Sequence, residues 1–168
     1  RFPNRGNPNA IREMDYVWRV PLHPQLGEGP TPTGINWFGV AINGVPIEPG
    51  TQEFYNDDRS SGWNYEAIGG TSDLGIDASL AHVQPNGAYH YHAAPLGLIA
   101  QLGGDTNRML LVGWAADGFP IYTANGHSDP KDLKSPIRPM KSSYRLKSGT
   151  RPGGPGMNAQ PSDIAPSP

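Results

Sequence analysis

The stretch that decides the fold of this 168-residue chain is LAHVQPNGAYHYH, residues 80–92. Its last four residues alternate tyrosine and histidine, and successive side chains of a β-strand point to opposite faces of the sheet. His90 and His92 therefore share one face, and Tyr89 and Tyr91 share the other. The segment predicts a strand that carries two imidazoles on one side.

A turn signal within the same stretch sets the position of a third histidine. The segment QPNGA, residues 84–88, suits a three-residue hairpin loop, with Pro85 in the second position of a type I turn and the glycine in the left-handed conformation. This loop places His82 opposite His90. A two-residue loop on the Asn-Gly pair would instead place His82 opposite Tyr91, and Pro85 favours the three-residue alternative.

Three histidines on one face of a hairpin indicate a metal site. Directly opposed Cβ atoms in a sheet are about 4.5–5.5 Å apart and diagonal ones about 7–8 Å, so the imidazoles of His82, His90 and His92 can reach one ion. Such a donor set suits Zn²⁺, or copper with further nitrogen or oxygen ligands. The alternative is an ordinary polar hairpin surface. His23 and His127 each occur singly in a loop rich in proline and glycine, and we expect them at the surface.

The composition predicts a mostly β fold. The chain has 22 glycines, 19 prolines and only 17% charged residues, which excludes a helical bundle or a coiled coil. Four tryptophans, seven tyrosines and four phenylalanines are enough for a core. We expect one domain of short strands and hairpins in an antiparallel sheet or sandwich, with long Gly/Pro-rich loops and little helix.

The composition also excludes several classes of function. A net charge of −2 gives no basic surface for nucleic acid, and no apolar run is long enough to span a membrane. The absence of cysteine excludes disulfides, iron–sulfur clusters, thiolate zinc sites and cysteine nucleophiles. Any metal ion must therefore be held by nitrogen and oxygen.

An internal similarity predicts a pair of equivalent hairpins. Residues 39–47, GVAINGVPI, align with residues 113–121, GWAADGFPI. The Asn-Gly and Asp-Gly pairs favour type I′ turns, although a chance match of common turn residues is the alternative. The other predicted strands are 16–20, 36–42, 80–83, 88–92, 109–115 and 143–146, and the predicted helical turns are 64–68 and 96–102.

The ends of the chain differ from its middle. Residues 1–12 are polar and predict an extended arm, whereas residues 148–168 are rich in proline and glycine and predict an extended or disordered tail. Residues 13–147 form the predicted domain. Because the sequence begins at Arg1 and not at methionine, we expect a processed product.

The order of the motifs resembles the YHYH-domain family of bacterial proteins. The resemblance rests on residues 74–77, 81–92 and 115–122, with shorter matches at 43–47, 64–67 and 142–147, and covers roughly residues 16–152. It implies an exported protein. The tail after residue 152 departs from the expected pattern.

The resemblance also implies site residues and a function. The motif histidines carry over to His82, His90 and His92, and the acidic motif positions to Asp77 and Asp117. Either aspartate would be a fourth ligand or an acceptor that orients an imidazole.

We therefore expect an extracytoplasmic metal-binding protein that holds zinc or copper. One alternative is a structural subunit of an extracellular polymer, a homo-oligomer or filament built through the termini. Another is a metal-dependent hydrolase or copper oxidase, and the sequence leaves open whether the protein is an enzyme.

Overall fold

The computed structural model describes residues 1–29, 31, 36–69, 73–104 and 108–142, and in these ranges it is mostly β. This confirms the predicted fold class. None of the helices within the described ranges is long and apolar enough to cross a membrane. The elements are β1 (Gly39–Ala41), β2 (Pro46–Ile47), β3 (Ala81–Val83), β4 (Tyr89–Tyr91), α1 (Leu96–Gln101), β5 (Leu111–Ala115), β6 (Pro120–Tyr122), β7 (Asn125–His127) and β8 (Ile137–Pro139), with single 3₁₀ turns at Tyr55–Asp57 and Arg59–Ser61.

The larger sheet has the strand order β3-β4-β2-β1-β5-β6, and β7 and β8 form a separate ribbon. Neighbouring strands are antiparallel except β2 and β4, which run parallel and pair at Ile47 and Tyr91. The β3–β4 hairpin is thereby joined to the centre of the sheet. The all-antiparallel sheet expected from the sequence thus has one parallel pairing.

The internal similarity corresponds to two structurally equivalent hairpins, β1–β2 and β5–β6. Strands β1 and β5 pair antiparallel, with Val40 opposite Trp114, and these two residues occupy the same position in the repeat. The backbone hydrogen bonds on either side are also equivalent: Ile42 N–H to the Val112 carbonyl at 2.9 Å, and Ala116 N–H to the Phe38 carbonyl at 2.8 Å. A local two-fold axis therefore passes between β1 and β5.

The predicted type I′ turns of these hairpins are wrong. In the β1–β2 loop, Gly44 N–H donates to the Ala41 carbonyl at 2.8 Å and Ala41 N–H donates to the Val45 carbonyl at 2.9 Å. Gly44 has φ +84°, while the asparagine before it is not at positive φ. The β5–β6 loop repeats the pattern, with Gly118 at φ +90°. Both are therefore three-residue loops. In such a loop only the last position needs positive φ, and a glycine occupies it in each hairpin.

Most other predicted elements form near their expected positions, but two do not. Residues 16–20 form no strand: Tyr16 and Trp18 pack on Trp37, with ring centroids 5.1–5.4 Å apart. Residues 64–68 form no helical turn, because Asn64 pairs with Phe54 in an isolated bridge. The helical turn at 96–102 is confirmed as α1. The expected strand at 143–146 lies outside the described residues.

The hydrophobic core lies on one side of the larger sheet. Its buried members are Ala41, Ile47, Ala81, Tyr91 and Leu98, and the last of these is the buried residue of α1. Tyr89 packs against the same cluster. The tyrosines of the hairpin therefore face the core, as expected, and the histidines face the opposite side.

The N-terminal arm, residues 1–12, lies along the outer edge of β3. The side-chain amides of Asn7 and Asn9 each donate to the Val83 carbonyl at 2.9 Å, and Arg12 N–H donates to the Gly87 carbonyl at 3.0 Å. These contacts occupy an edge that would otherwise be open to strand addition. The arm contains a tight turn, in which Asn4 N–H donates to the Asn7 carbonyl at 2.8 Å and Asn7 N–H donates to the Asn4 carbonyl at 3.2 Å. The predicted tail, residues 148–168, lies outside the described residues.

Candidate metal centre

Three imidazoles meet on the face of the β3–β4 hairpin that points away from the core. His82 is the direct partner of His90 in the antiparallel ladder, which confirms the register predicted from the turn. One ring nitrogen from each of His82, His90 and His92 lies within 4.8 Å of the others. The Nε2 atoms of His90 and His92 are 3.0 Å apart. This spacing can serve a single ion.

The hairpin loop fixes this register. Gln84 N–H donates to the Ala88 carbonyl at 2.9 Å, and Gly87 N–H donates to the Gln84 carbonyl at 2.8 Å. Gly87 has φ +93°, and a Cβ atom there would lie 2.5 Å from Cγ of Arg12. Glycine is therefore required both by the backbone and by the packing of the arm. Without this loop, His82 and His90 would not face each other.

Backbone carbonyls orient two of the three rings. Nδ1 of His82 lies 3.0 Å from the Leu74 carbonyl oxygen, and Nδ1 of His90 lies 3.4 Å from the Ala88 carbonyl oxygen. A carbonyl can only accept, so these contacts are made by the tautomer that carries its hydrogen on Nδ1, and this tautomer keeps the lone pair on Nε2. Metal-binding histidines are commonly held in this way, with one nitrogen bonded to the protein and the other directed at the ion.

The third ring, His92, is less well satisfied. It is 6% exposed, and its Nδ1 atom is buried and has no hydrogen-bond partner among the residues that the structure describes. Buried polar atoms of this kind are uncommon in proteins and call for a functional or structural reason. In the metal-free site the Nε2 atoms of His90 and His92 are each other's hydrogen-bond partners at 3.0 Å, and an ion held at these atoms would take the place of that bond.

Burial keeps the inner imidazoles neutral. Burial, with a smaller contribution from the His82 ring, lowers the pKa of His90 to about 4. Burial, followed by the neighbouring His90 and His82 rings, lowers the pKa of His92 to about 3. Neutral imidazole is the form that binds a metal ion, so both rings are in that form at pH 7.

A carboxylate that the sequence analysis missed lies beside the cluster. Glu48 is 6% exposed, and its Oε2 atom lies 3.9 Å from Nε2 of His90. The same oxygen accepts hydrogen bonds from Trp37 Nε1 and Gln84 Nε2, each at 3.0 Å. Burial raises the pKa of Glu48. The only indication in the sequence is that Glu48 directly follows Ile47. Since Ile47 packs in the core, the side chain of Glu48 points to the histidine face of the sheet.

Asp77, a predicted ligand position, is held elsewhere. Its Oδ1 atom accepts from the backbone N–H groups of Ser79 at 2.8 Å and Ala81 at 3.2 Å, and its Oδ2 atom accepts from the Tyr89 hydroxyl at 2.8 Å. Tyr89 is on the face opposite to the histidines. The structure therefore places Asp77 in the loop before β3, bonded to Tyr89, and does not bring it into the histidine cluster.

Asp117, the other predicted acidic position, lies in the exposed β5–β6 loop. Its Oδ1 atom accepts from Phe119 N–H at 3.4 Å. Asn43 and Asn86 make the same bond in the other two loops, to Val45 at 3.3 Å and Ala88 at 3.0 Å. Such a bond is typical of Asn and Asp in turns. Asp117 therefore lies in a turn and is not part of the histidine cluster.

The remaining two histidines lie away from the site. His23 is exposed, and Nδ1 of His127 lies 3.0 Å from the Ser135 carbonyl oxygen in the β7–β8 region. Neither belongs to the histidine cluster.

The comparison with protein families agrees with the motif at the centre of the site. The model of the YHYH protein family matches residues 17–165. The chain belongs to the YHYH family. The Tyr-His-Tyr-His sequence of this YHYH protein, residues 89–92, contributes two of the three imidazoles. No curated protein and no solved structure matches the chain.

The family match corrects one expectation from the sequence. The motifs had placed the resemblance at roughly residues 16–152, with a tail that departs from the pattern. The YHYH match instead extends to residue 165 and so includes most of that tail.

Proposed function

We propose that this YHYH protein binds one divalent transition-metal ion, zinc or copper, through the Nε2 atoms of His82, His90 and His92. The observation that carries the proposal is the convergence of the three rings, together with the Nδ1 contacts of His82 and His90 to backbone carbonyls. These contacts direct the lone pairs of the two rings away from the backbone. Part of the free-energy cost of orienting these two ligands is therefore incurred when the protein folds and not when the ion binds.

The donor chemistry narrows the choice of ion. Neutral imidazoles suit zinc and copper, whereas Mg²⁺ and Ca²⁺ take oxygen ligands. The chain has no cysteine, so a thiolate-rich site is excluded. Zinc bound by three protein ligands typically keeps a fourth position for a further ligand or water. When bound, the ion supplies a localised positive charge that polarises what it contacts.

Metal content and binding stoichiometry test the proposal. Protein purified without chelators is analysed by mass spectrometry, and Zn²⁺ and Cu²⁺ are titrated calorimetrically into the metal-free protein. We expect one ion per chain and no stoichiometric binding in the His90→Ala/His92→Ala double variant. His23→Ala, which removes an exposed histidine outside the cluster, is the matched control and keeps one ion. Unchanged binding in the double variant would refute the site.

We infer an extracytoplasmic location from the family resemblance. Fractionation of the natural host tests it: the protein is expected outside the cytoplasm, and recovery with cytoplasmic proteins would contradict it. Assembly through the termini and catalysis remain hypotheses from the sequence, and the described ranges add no observation that favours either over metal binding.

A further inference from the structure

A second cavity lies at the end of the larger sheet that is farthest from the histidines. It has a volume of about 470 Å³. Its walls are formed by Arg108, Met109, Tyr122, His127, Leu133 and Ile137. Tyr122 belongs to β6, the edge strand at the opposite end of the sheet from β3, and His127 and Ile137 are direct partners in the β7–β8 ribbon. The cavity is therefore separate from the candidate metal centre.

The loop between β7 and β8, residues 128–136, has a shape fixed by its own hydrogen bonds. The carboxylate of Asp129 accepts from Lys131 N–H and that of Asp132 accepts from Lys134 N–H, each at 2.9 Å. The Ser135 hydroxyl donates to the backbone carbonyl of Asp132 at 2.7 Å. Such short-range bonds are typical of aspartate and serine in turns. They hold residues 131–134 at the tip of the ribbon, with both lysines exposed.

Apolar side chains remain exposed around this cavity. Leu133, at the tip of the loop, is 81% exposed, and Met109, Tyr122 and Ile137 are 36–41% exposed. Neighbouring apolar residues that stay exposed within a polar rim mark sites of interaction with a protein or a membrane. The described part of the chain leaves these side chains uncovered, and this exposure indicates a partner.

The same region has an excess of positive charge. Its basic residues, all exposed, are Arg108, Lys131, Lys134, Arg138 and Lys141. The two carboxylates of the loop, Asp129 and Asp132, accept from backbone N–H groups of the turns. Between described residues, no ion pair involves any of the five basic side chains. Because the whole chain has a net charge of −2, the excess is local to this surface.

We propose that this ribbon surface, formed by the walls of the cavity and by residues 131–141, docks onto a membrane of anionic phospholipid. Lipid phosphates bind the basic side chains, Leu133 enters the acyl region, and Tyr122 lies at the level of the head groups. Peripheral proteins bind membranes through this combination of buried apolar area and attraction to anionic lipid, and tyrosine favours the membrane interface. The inference is independent of the proposed metal binding.

The exposed leucine favours a membrane over an acidic macromolecule. A purely acidic macromolecule would use the positive charges alone and would leave Leu133 in water. A bilayer takes up both kinds of side chain, since lysine keeps its ammonium group among the head groups while neighbouring apolar groups are buried. Each basic residue near an anionic bilayer contributes about fivefold in affinity, and one fully buried leucine contributes about tenfold or more.

Vesicle co-sedimentation tests the proposal on the full chain. Vesicles are made from equal parts of phosphatidylglycerol and phosphatidylcholine, or from phosphatidylcholine alone. We expect binding to the anionic vesicles at low salt, much weaker binding at high salt, where the charges are screened, and no binding to the neutral vesicles. A lack of binding to the anionic vesicles, or equal binding to both kinds, would overturn the proposal.

Variants locate the surface. We expect Leu133→Ser to weaken binding about tenfold, and the Lys131→Gln/Lys134→Gln double variant to weaken it about 25-fold. Both change exposed side chains, so their urea unfolding should match that of the wild type. Leu26→Ser is the matched control and should bind like the wild type, because Leu26 is 89% exposed but has Glu28 and no lysine beside it in the sequence.

Two outcomes with the variants would contradict the assignment. Weaker binding in the lysine variant with unchanged binding in Leu133→Ser would indicate an acidic macromolecule as the partner and overturn docking onto a membrane. Equal weakening in Leu26→Ser and Leu133→Ser would show that any exposed leucine has this effect, and it would overturn the ribbon surface as the site.

Discussion

Asn7 and His82, 75 positions apart in the sequence, are joined by a direct contact of 3.4 Å between Nδ2 of Asn7 and Nδ1 of His82, and also through one carbonyl oxygen. The Leu74 carbonyl lies 3.0 Å from Nδ1 of His82 and accepts from Nδ2 of Asn7 at 3.3 Å. Asn7 is 4% exposed and also donates to the Val83 carbonyl at 2.9 Å. The N-terminal arm is therefore part of the support of His82, the first of the three proposed metal ligands.

Replacing Asn7 tests this support. In Asn7→Ala the Leu74 carbonyl loses one partner, and the arm loses one of its two side-chain bonds to the Val83 carbonyl of β3. We expect zinc affinity to fall about tenfold, because groups that orient metal ligands typically contribute 10–100-fold. The free energy of unfolding should also fall by about 1–2 kcal/mol, the usual cost of a lost buried hydrogen bond. Calorimetric titration and urea unfolding measure the two effects.

Asn9→Ala is the matched control for Asn7→Ala. Asn9 donates to the same Val83 carbonyl at 2.9 Å, but its side chain makes no bond to Leu74 or His82 among the described contacts. We expect some loss of stability without the loss of affinity. Equal zinc affinities in the two variants would show that the arm supports the hairpin in general and not His82 in particular.

Gly87→Ala tests the loop that sets the register of the histidines. The alanine must adopt φ +93°, and its methyl group meets the side chain of Arg12. A left-handed conformation alone costs a non-glycine residue about 1–2 kcal/mol, and the clash adds to it. Gly44→Ala is the control, since Gly44 has φ +84° with nothing within 4 Å of the added Cβ. We expect Gly87→Ala to be the less stable variant in urea and to bind zinc more weakly; equal results would contradict the role of Arg12.

The sequence was sufficient to predict the histidine face. Alternation places His90 and His92 together, and Pro85 with Gly87 identifies the loop that adds His82. These signals are local, because hairpin register depends on the turn between the strands. The turn type of the other two hairpins was mispredicted because an Asn-Gly or Asp-Gly pair fits either loop. Only the backbone hydrogen bonds distinguish the two-residue loop from the three-residue one.

The carboxylate beside the histidine cluster could not be predicted from local signals. Glu48 comes within 3.9 Å of His90 through the parallel pairing of Ile47 and Tyr91, two residues far apart in the sequence. Likewise, the pattern at residues 16–20 resembles a strand, but Tyr16 and Trp18 pack around Trp37. In both cases a contact distant in sequence determines the structure.

The Asp77→Ala variant shows whether Asp77 stabilises the loop before β3 or binds the metal ion. Asp77 accepts from the backbone before β3 and from Tyr89, so its loss leaves buried donors without partners. We expect the free energy of unfolding to fall by about 1–3 kcal/mol while the protein still binds one zinc ion. Tyr89→Phe, which removes one of these bonds, should have a smaller effect of the same kind. Loss of stoichiometric zinc binding in a folded Asp77→Ala protein would instead support ligation by Asp77.

The stability of the metal-free protein should depend on pH through the inner histidines. Burial lowers the pKa of His90 to about 4 and that of His92 to about 3, whereas an unfolded histidine titrates near its ordinary value of 6.5. Between these values the unfolded chain binds more protons than the folded one, so the free energy of unfolding rises with pH in this window. Stability is therefore complete above about pH 6.5 and is lost as the pH falls towards 4 and then 3, with a slope of about 1.4 kcal/mol per pH unit for each histidine.

Urea unfolding of the metal-free protein at several pH values measures this slope. Removing the ring in His92→Ala should reduce the slope between pH 6 and 4 by about the contribution of one proton, whatever its effect on absolute stability. His23→Ala, at an exposed position outside the cluster, should keep the wild-type slope. An identical slope in His92→Ala and the wild type would mean that the acid sensitivity arises elsewhere. Adding zinc should steepen the loss below pH 6.5, because protons then compete with the ion for the same nitrogens.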